Sequence, residues 1–272
     1  MALIHPNVFD AVVAIGITDN QGKKKWVGTG FLYGAFVKTN SDGKKQYRMC
    51  VVTNKHVFGN LNNILIRFNP QNNEKAIDFP ISLMNEDGKP KWKGHTTPSV
   101  DIAVLEINMK VIHDHGARFS FIRSDEHVLT LDEMKESGIS EGDDVFALGY
   151  PMGILDDDKQ YVILRAGSIA RIRDSYDLNK PDYLCDIFVF PGNSGGPVFI
   201  KPSANAITGT KLNNKSAAIG VVRSYIPYRD MAISQQTKRP RITFEENSGL
   251  ASIIPMDYVN EVIAGLKGSK AN

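Results

Sequence analysis

A serine set between glycines, in Gly192-Asn193-Ser194-Gly195-Gly196-Pro197, is the stretch of this 272-residue chain best suited to chemistry. Acyl transfer needs an oxygen nucleophile and, beside it, backbone N–H donors aimed at the oxyanion that develops. Glycines lack a Cβ, so the chain can turn sharply there and approach a substrate closely. Serine attacks poorly without a general base, and the base needs a carboxylate to orient it. The candidate bases are His5, His56, His95, His113, His115 and His127. His56 ends the apolar run Val51-Val52-Thr53-Asn54-Lys55-His56, where a strand end can hold an imidazole at the rim of a cleft. Asp101 opens the apolar run Asp101-Ile102-Ala103-Val104-Leu105. A carboxylate at such a place is partly buried and needs a donor, for which an imidazole N–H serves.

The order of these residues excludes a rival. Gly192-Asn193-Ser194-Gly195-Gly196 also fits G-x-S-x-G, the nucleophile elbow of α/β-hydrolases, whose triads run Ser, acid, His. Here every histidine precedes Ser194, so that triad cannot be built. The pair His113-Asp114-His115 offers an incomplete metal set, and Asp156-Asp157-Asp158 reads as a solvated loop rather than a calcium site. No metal or cofactor is expected.

The elements that must position these residues are mostly strands. Short runs rich in Val, Ile, Phe and Tyr recur between turn residues: Val8–Thr18, Trp26–Val37, Gln46–Thr53, Asn63–Phe68, Ile77–Leu83, Ile102–Ile107, Asp144–Leu148, Tyr161–Ile172, Cys185–Phe190, Val198–Ile200 and Ala217–Val222. Thr130-Leu131-Asp132-Glu133 reads as a capping box opening a short helix stopped at Gly138. Pro255 introduces an amphipathic helix over Met256–Leu266, ended by Gly268. Ser203–Lys215 and Tyr228–Asn247 are polar and read as surface loops. A net charge of +2 gives no strong pull toward nucleic acid or membrane, and no apolar run approaches a membrane span of ~20 residues. Cys50 and Cys185 lie in apolar runs and read as buried thiols, which suits a cytoplasmic protein.

Several segments together resemble chymotrypsin-fold (trypsin-like) serine proteases, and within them the HtrA-type bacterial branch. Gly28-Thr29-Gly30-Phe31 is similar to that family's G-x-G-F strand, and Thr53-Asn54-Lys55-His56-Val57 to its T-N-x-H-V motif. Asp101–Leu105 matches D-I-A-V-L, and Gly142–Pro151 resembles G-D-x-V-x-A-I-G-x-P. The resemblance covers about residues 8–267 and implies an all-β fold: two antiparallel six-stranded β-barrels with a C-terminal helix. Residues 1–125 would form the barrel carrying His56 and Asp101, and residues 126–272 the barrel carrying Ser194. It also implies that the backbone N–H groups of Gly192 and Ser194 form the oxyanion hole. The pocket for the residue before the scissile bond would be walled by Val189, Phe190, Val222, Arg223, Ser224 and Gly249.

No acidic residue stands in Phe188–Pro191, immediately before the serine turn, and no histidine follows Ser194, so small or medium apolar residues are the expected P1. Asn193 stands where digestive trypsins carry the aspartate that pairs with a new N-terminus, so activation by propeptide cleavage is not expected. The chain ends soon after its last helix, and a C-terminal PDZ domain is not expected. The expected partner is a protein or peptide substrate. Segment 225–247 is long for a connection, which suits a regulatory partner or a second copy. A catalytically silent or partner-activated barrel acting as a binding or regulatory module is the alternative to an active endopeptidase.

Overall fold

The computed structural model describes residues 3–72, 74–156, 158–203 and 207–266. The first half holds six longer strands, β1 Val12–Thr18, β2 Lys24–Thr39, β3 Lys45–Thr53, β4 Asn63–Pro70, β5 Ile77–Ser82 and β7 Ala103–Glu106. It adds three two-residue strands, β6 Lys93–Gly94, β8 Ala117–Arg118 and β9 Ile122–Arg123. They pair in the order β5-β4-β1-β2-β3-β7-β6, with β8 on β4 and β9 on β2. The second half is a closed barrel, β10-β11-β12-β15-β14-β13. Its strands are β10 Asp144–Gly149, β11 Ile163–Arg171, β12 Tyr183–Asp186, β13 Pro197–Ile200, β14 Ala217–Ile233 and β15 Pro240–Pro255. The helices are short: α1 Lys55–Phe58, α2 Met109–Asp114, α3 Leu131–Glu136, α4 Arg173–Leu178 and α5 Met256–Gly265.

Strand alternation explains why the apolar runs are continuous. Successive side chains leave a strand on opposite faces. From β1, Val13 and Ile15 enter the interior of the first half with Leu32, Val51 and Ile66. Val12 and Ala14 face the other way and join Phe31, Tyr33 and Val52 in a core shared with Phe146, Leu148, Phe199 and Ile254 of the barrel. Helix α5 adds Met256, Val259 and Ile263 to that shared core. The two halves are therefore joined by packing, and a strand at the joint has no polar face.

Three readings change. Residues 8–11 form part of a 3-10 turn, Pro6–Ala11, because Pro6 begins it and the His5 side chain accepts the Asn7 N–H. Strand β12 stops at Asp186, well before Phe190. Segment 228–247 is no loop: β14 and β15 stay paired from Pro227↔Asn247 out to Ile233↔Pro240. The capping box at Thr130 and Glu133 is present with both of its hydrogen bonds, and α5 reaches Gly265, Gly268 lying outside the described residues.

Candidate active site

The β3–β7 pairing, with Thr53 opposite Ala103, sets the exit of one strand beside the entry of the other. The chain leaves β3 into the single turn α1, which carries His56. Asn54 Nδ2 donates to the Asp101 carbonyl at 2.7 Å, tying the two loops together. The His56 backbone N–H then donates to Asp101 Oδ1 at 3.1 Å, and His56 Nδ1 lies 2.5 Å from Oδ2. An ionised carboxylate only accepts, so Nδ1 donates to Asp101 and Nε2 is the ring nitrogen left for other partners. The Asp101 side chain is 17% exposed and the imidazole 51%, so the ring is anchored on one edge and open on the other.

The serine turn is held through its backbone. Gly192, at φ 101°, has Tyr150 O where a Cβ would come within 2.3 Å. Gly195, at φ 86°, has Thr29 O at 2.1 Å from the same virtual atom, and Gly196 has Leu148 O at 2.2 Å. A trans peptide points its N–H opposite its C=O. Pro191 O accepts the Met152 N–H at 2.6 Å, so the Gly192 N–H points away from residues 150–153. Asn193 O accepts the Gly196 N–H at 2.9 Å, which turns the Ser194 N–H away from the inside of the turn. Among the described residues neither N–H has an acceptor, and two such donors beside a hydroxyl are suited to a developing oxyanion.

Sequence reasoning missed the residues that secure this turn. Thr29, fully buried on β2, donates its hydroxyl to Gly192 O at 2.6 Å and accepts the Tyr150 N–H at 3.0 Å. Its backbone N–H donates to Ser194 O at 2.9 Å, while its carbonyl accepts the Thr53 hydroxyl at 2.7 Å. A residue of the first half thus grips the serine turn of the second. The signal was available: a buried hydroxyl inside an apolar run must have a partner. Asn193, also fully buried, accepts the Phe190 N–H through Oδ1 at 3.0 Å and donates its own N–H to Phe190 O. The neutral amide closes the turn on itself without an incoming ammonium.

Ser194 Oγ donates to Arg223 O at 3.0 Å, and among the described residues no hydrogen bond joins it to His56. The other pocket candidates separate into two groups. Val189 and Val222 are corrected: both side chains lie in the barrel core, and only their backbones face the turn. Val222 accepts the Gly195 N–H at 2.9 Å, and Val189 O accepts Asn247 Nδ2 at 2.7 Å. Phe190 remains partly exposed beneath the Arg165 guanidinium at 5.2 Å, and Ser224 is exposed. Arg223 turns to Asp182, its Nη1 3.1 Å from Oδ2. Gly249 leaves room in front of Phe188 and Asp186, its virtual Cβ lying 3.5 Å from the ring and 3.7 Å from Oδ1.

The family model of the trypsin-like peptidase domain matches residues 28–206. The chain belongs to this family. The match takes in Thr29, His56, Asp101 and Ser194, and the strands beyond it complete the barrel. Among solved structures, one described as the atomic resolution structure of HBP is similar, with a TM-score of 0.52 and 12% identity. The likeness covers 99% of this chain and 96% of that one, and the fold of this trypsin-like peptidase is chymotrypsin-like. Comparison with curated proteins gave no match.

Elsewhere the titratable groups serve structure. Burial pushes the thiols of Cys50 and Cys185, both free, up to about 12. His115 Nδ1 is engaged by Val111 O at 2.7 Å, and His113 is exposed beside Asp114. Asp156 Oδ1 accepts the N–H groups of Asp158 and Lys159, while Asp157 lies outside the described residues. Among the described residues no helix is long and apolar enough to cross a membrane.

Proposed function

We propose that this trypsin-like peptidase is a serine endopeptidase using His56, Asp101 and Ser194. The observation that carries the reading is the pair of N–H groups, Gly192 and Ser194, left without acceptors among the described residues beside a serine hydroxyl. Ser194 Oγ swings from Arg223 O to His56 Nε2, which takes its proton as the oxygen attacks the scissile carbonyl. Asp101 holds the imidazole tautomer and stabilises the imidazolium. The two N–H groups receive the oxyanion, and His56 then protonates the leaving amine. Water repeats the cycle on the acyl-enzyme.

The division between the catalytic halves is placed at residues 125 and 126, between β9 and α3. The HtrA-type branch, a cytoplasmic setting and a protein or peptide substrate belong to the same proposal. Small or medium apolar P1 residues suit the aromatic surroundings of Phe188 and Phe190. A peptide-library profile dominated by Arg or Lys would overturn that preference and assign the charge to Asp186 beside Gly249.

The bond from Ser194 Oγ to Arg223 O favours a second reading, a catalytically silent or partner-activated barrel. Labelling with a fluorophosphonate separates the two. The endopeptidase reading expects the wild type to be labelled and Ser194→Ala to be blank. A folded wild type that takes no label leaves the second reading.

A further inference from the structure

Strand β14 does not end where the barrel ends. Its pairing with β13 stops at Pro197↔Val221, yet it runs on past Arg223, which accepts the Ser194 hydroxyl, to Ile233. From Pro227↔Asn247 outward it pairs with β15 alone among the described residues. Directly opposed residues share a face. One face of this ribbon therefore holds Tyr228, Ala232, Ile242 and Phe244, with Asp230 and Glu246 between them. Tyr228 is 59% exposed, Ile242 56% and Phe244 52%. The other face carries the Arg229–Glu245 ion pair.

Charge and edge chemistry decide what this face fits. From Met231 to Phe244 there is no acidic residue, while Lys238, Arg239 and Arg241 have no carboxylate partner among the described residues. Along β14, Pro227 offers no N–H, and the Met231 N–H is taken by Asp230 Oδ1 at 2.7 Å. Such features blunt an edge, so a second copy does not add its strand there. The apolar side chains also sit behind the polar tip Ser234–Arg239, which a membrane would have to swallow first.

We infer that the ribbon is an exosite for the polypeptide substrate, which rests on the endopeptidase reading. Antiparallel entry beside Arg223 and Ser224, the orientation of every strand pair in the barrel, sends the acyl side of the substrate outward in the direction of β14, where it lies on the apolar face of the ribbon and not on the blunted edge. At about 3.3 Å per residue, the tip lies roughly ten positions upstream of the scissile bond. Aromatic or aliphatic residues of that segment cover Tyr228 and Phe244, and acidic residues beyond them meet Lys238, Arg239 and Arg241.

A short peptide that the full chain cleaves, found from a library, is compared with the same peptide extended upstream by about twelve residues bearing Phe, Leu and distal Glu. The acidic extension is expected to lower KM about tenfold at unchanged kcat, the summed effect of three surface charge contacts. The variant K238E/R239E/R241E loses that gain, recovers it with a Lys-bearing extension, and cleaves the short peptide normally. Equal KM for short and extended peptides overturns the exosite and leaves the endopeptidase standing. A wild type that neither cleaves nor takes the fluorophosphonate overturns both. If the charge reversal instead dissolves a dimer or abolishes binding to phosphatidylserine vesicles while KM stays unchanged, the face belongs to a second copy or a lipid surface and the inference falls.

Discussion

The two halves hold their shares of the site by opposite means. The first presents side chains from short loops: Asp101 fixes His56 through one ring bond and one backbone bond, and half of the imidazole remains exposed. The second presents backbone packed on every side, so that Gly192, Gly195 and Gly196 leave no room for a single carbon. The difference predicts two kinds of failure. Changes in the first half should remove chemistry and spare the fold, whereas changes in the second should damage both.

The largest effects come from the chemical groups. His56→Ala should lower kcat by about 10⁶-fold and Asp101→Asn by about 10⁴-fold, with melting temperatures near that of the wild type. A melting temperature that collapses with the activity would break the comparison, since it would make the first half's site structural as well. Gly195→Ala tests the other side. Its Cβ would meet Thr29 O at 2.1 Å from a backbone at φ 86°, so about 3 kcal/mol or more of stability should be lost with the activity. Denaturant unfolding measures it, and an alanine variant with wild-type stability would show that the turn can move.

How much of this was legible depended on what each residue had to do. Ser194 stood out for the glycines around it, His56 and Asp101 for their places at the ends of apolar runs, and Thr130 with Glu133 because a capping box is local. Thr29 and Thr53 did not stand out, because threonine is an ordinary strand residue until its partner on another strand is known. Val189 and Val222 were placed in the pocket wall because a resemblance locates stretches of backbone and not the side to which each side chain turns, and both turn into the barrel core. The ribbon escaped notice because its exposed faces mix Arg, Asp and Glu with Tyr, Ile and Phe, a composition that polarity alone reads as loop. The tight turn was written in glycines, but what surrounds it came from distant strands.

Thr29 is where the two modes of attachment meet, and it sharpens the comparison. Thr29→Val keeps the shape but removes the hydroxyl that serves Gly192 O and the Tyr150 N–H. Leaving two buried backbone groups unpaired should cost about 2–4 kcal/mol. The loosened Gly192 peptide should also lower kcat about a hundredfold with KM little changed. Thr29→Ser should restore most of both. If Val were silent in kcat, the grip of the first half on the turn would be one of stability alone.

The smallest expected effect concerns the crossing between the halves. His127 joins them there: its carbonyl accepts the Ala218 N–H at 2.7 Å, and its Nδ1 accepts the Arg123 N–H at 3.2 Å. It lines a cavity of about 130 Å³ with His5, Arg123, Phe199 and Ser216. Burial, reinforced by the Arg123 charge, holds its pKa below the ordinary 6.5. The unfolded chain therefore binds a proton that the folded chain refuses, so this contribution to stability is complete above pH 6.5 and is lost as the pH falls through the lowered value. Glu141, held at about 2 by the N–H groups of Ile172 and Arg173 against the opposing effect of burial, acts only at lower pH and does not confuse the window. Melting temperature should decline between pH 7 and pH 5, and His127→Gln should flatten that decline while leaving fluorophosphonate labelling at pH 7 intact. A slope equal to the wild type's would place the acid sensitivity within one half rather than at the crossing between them.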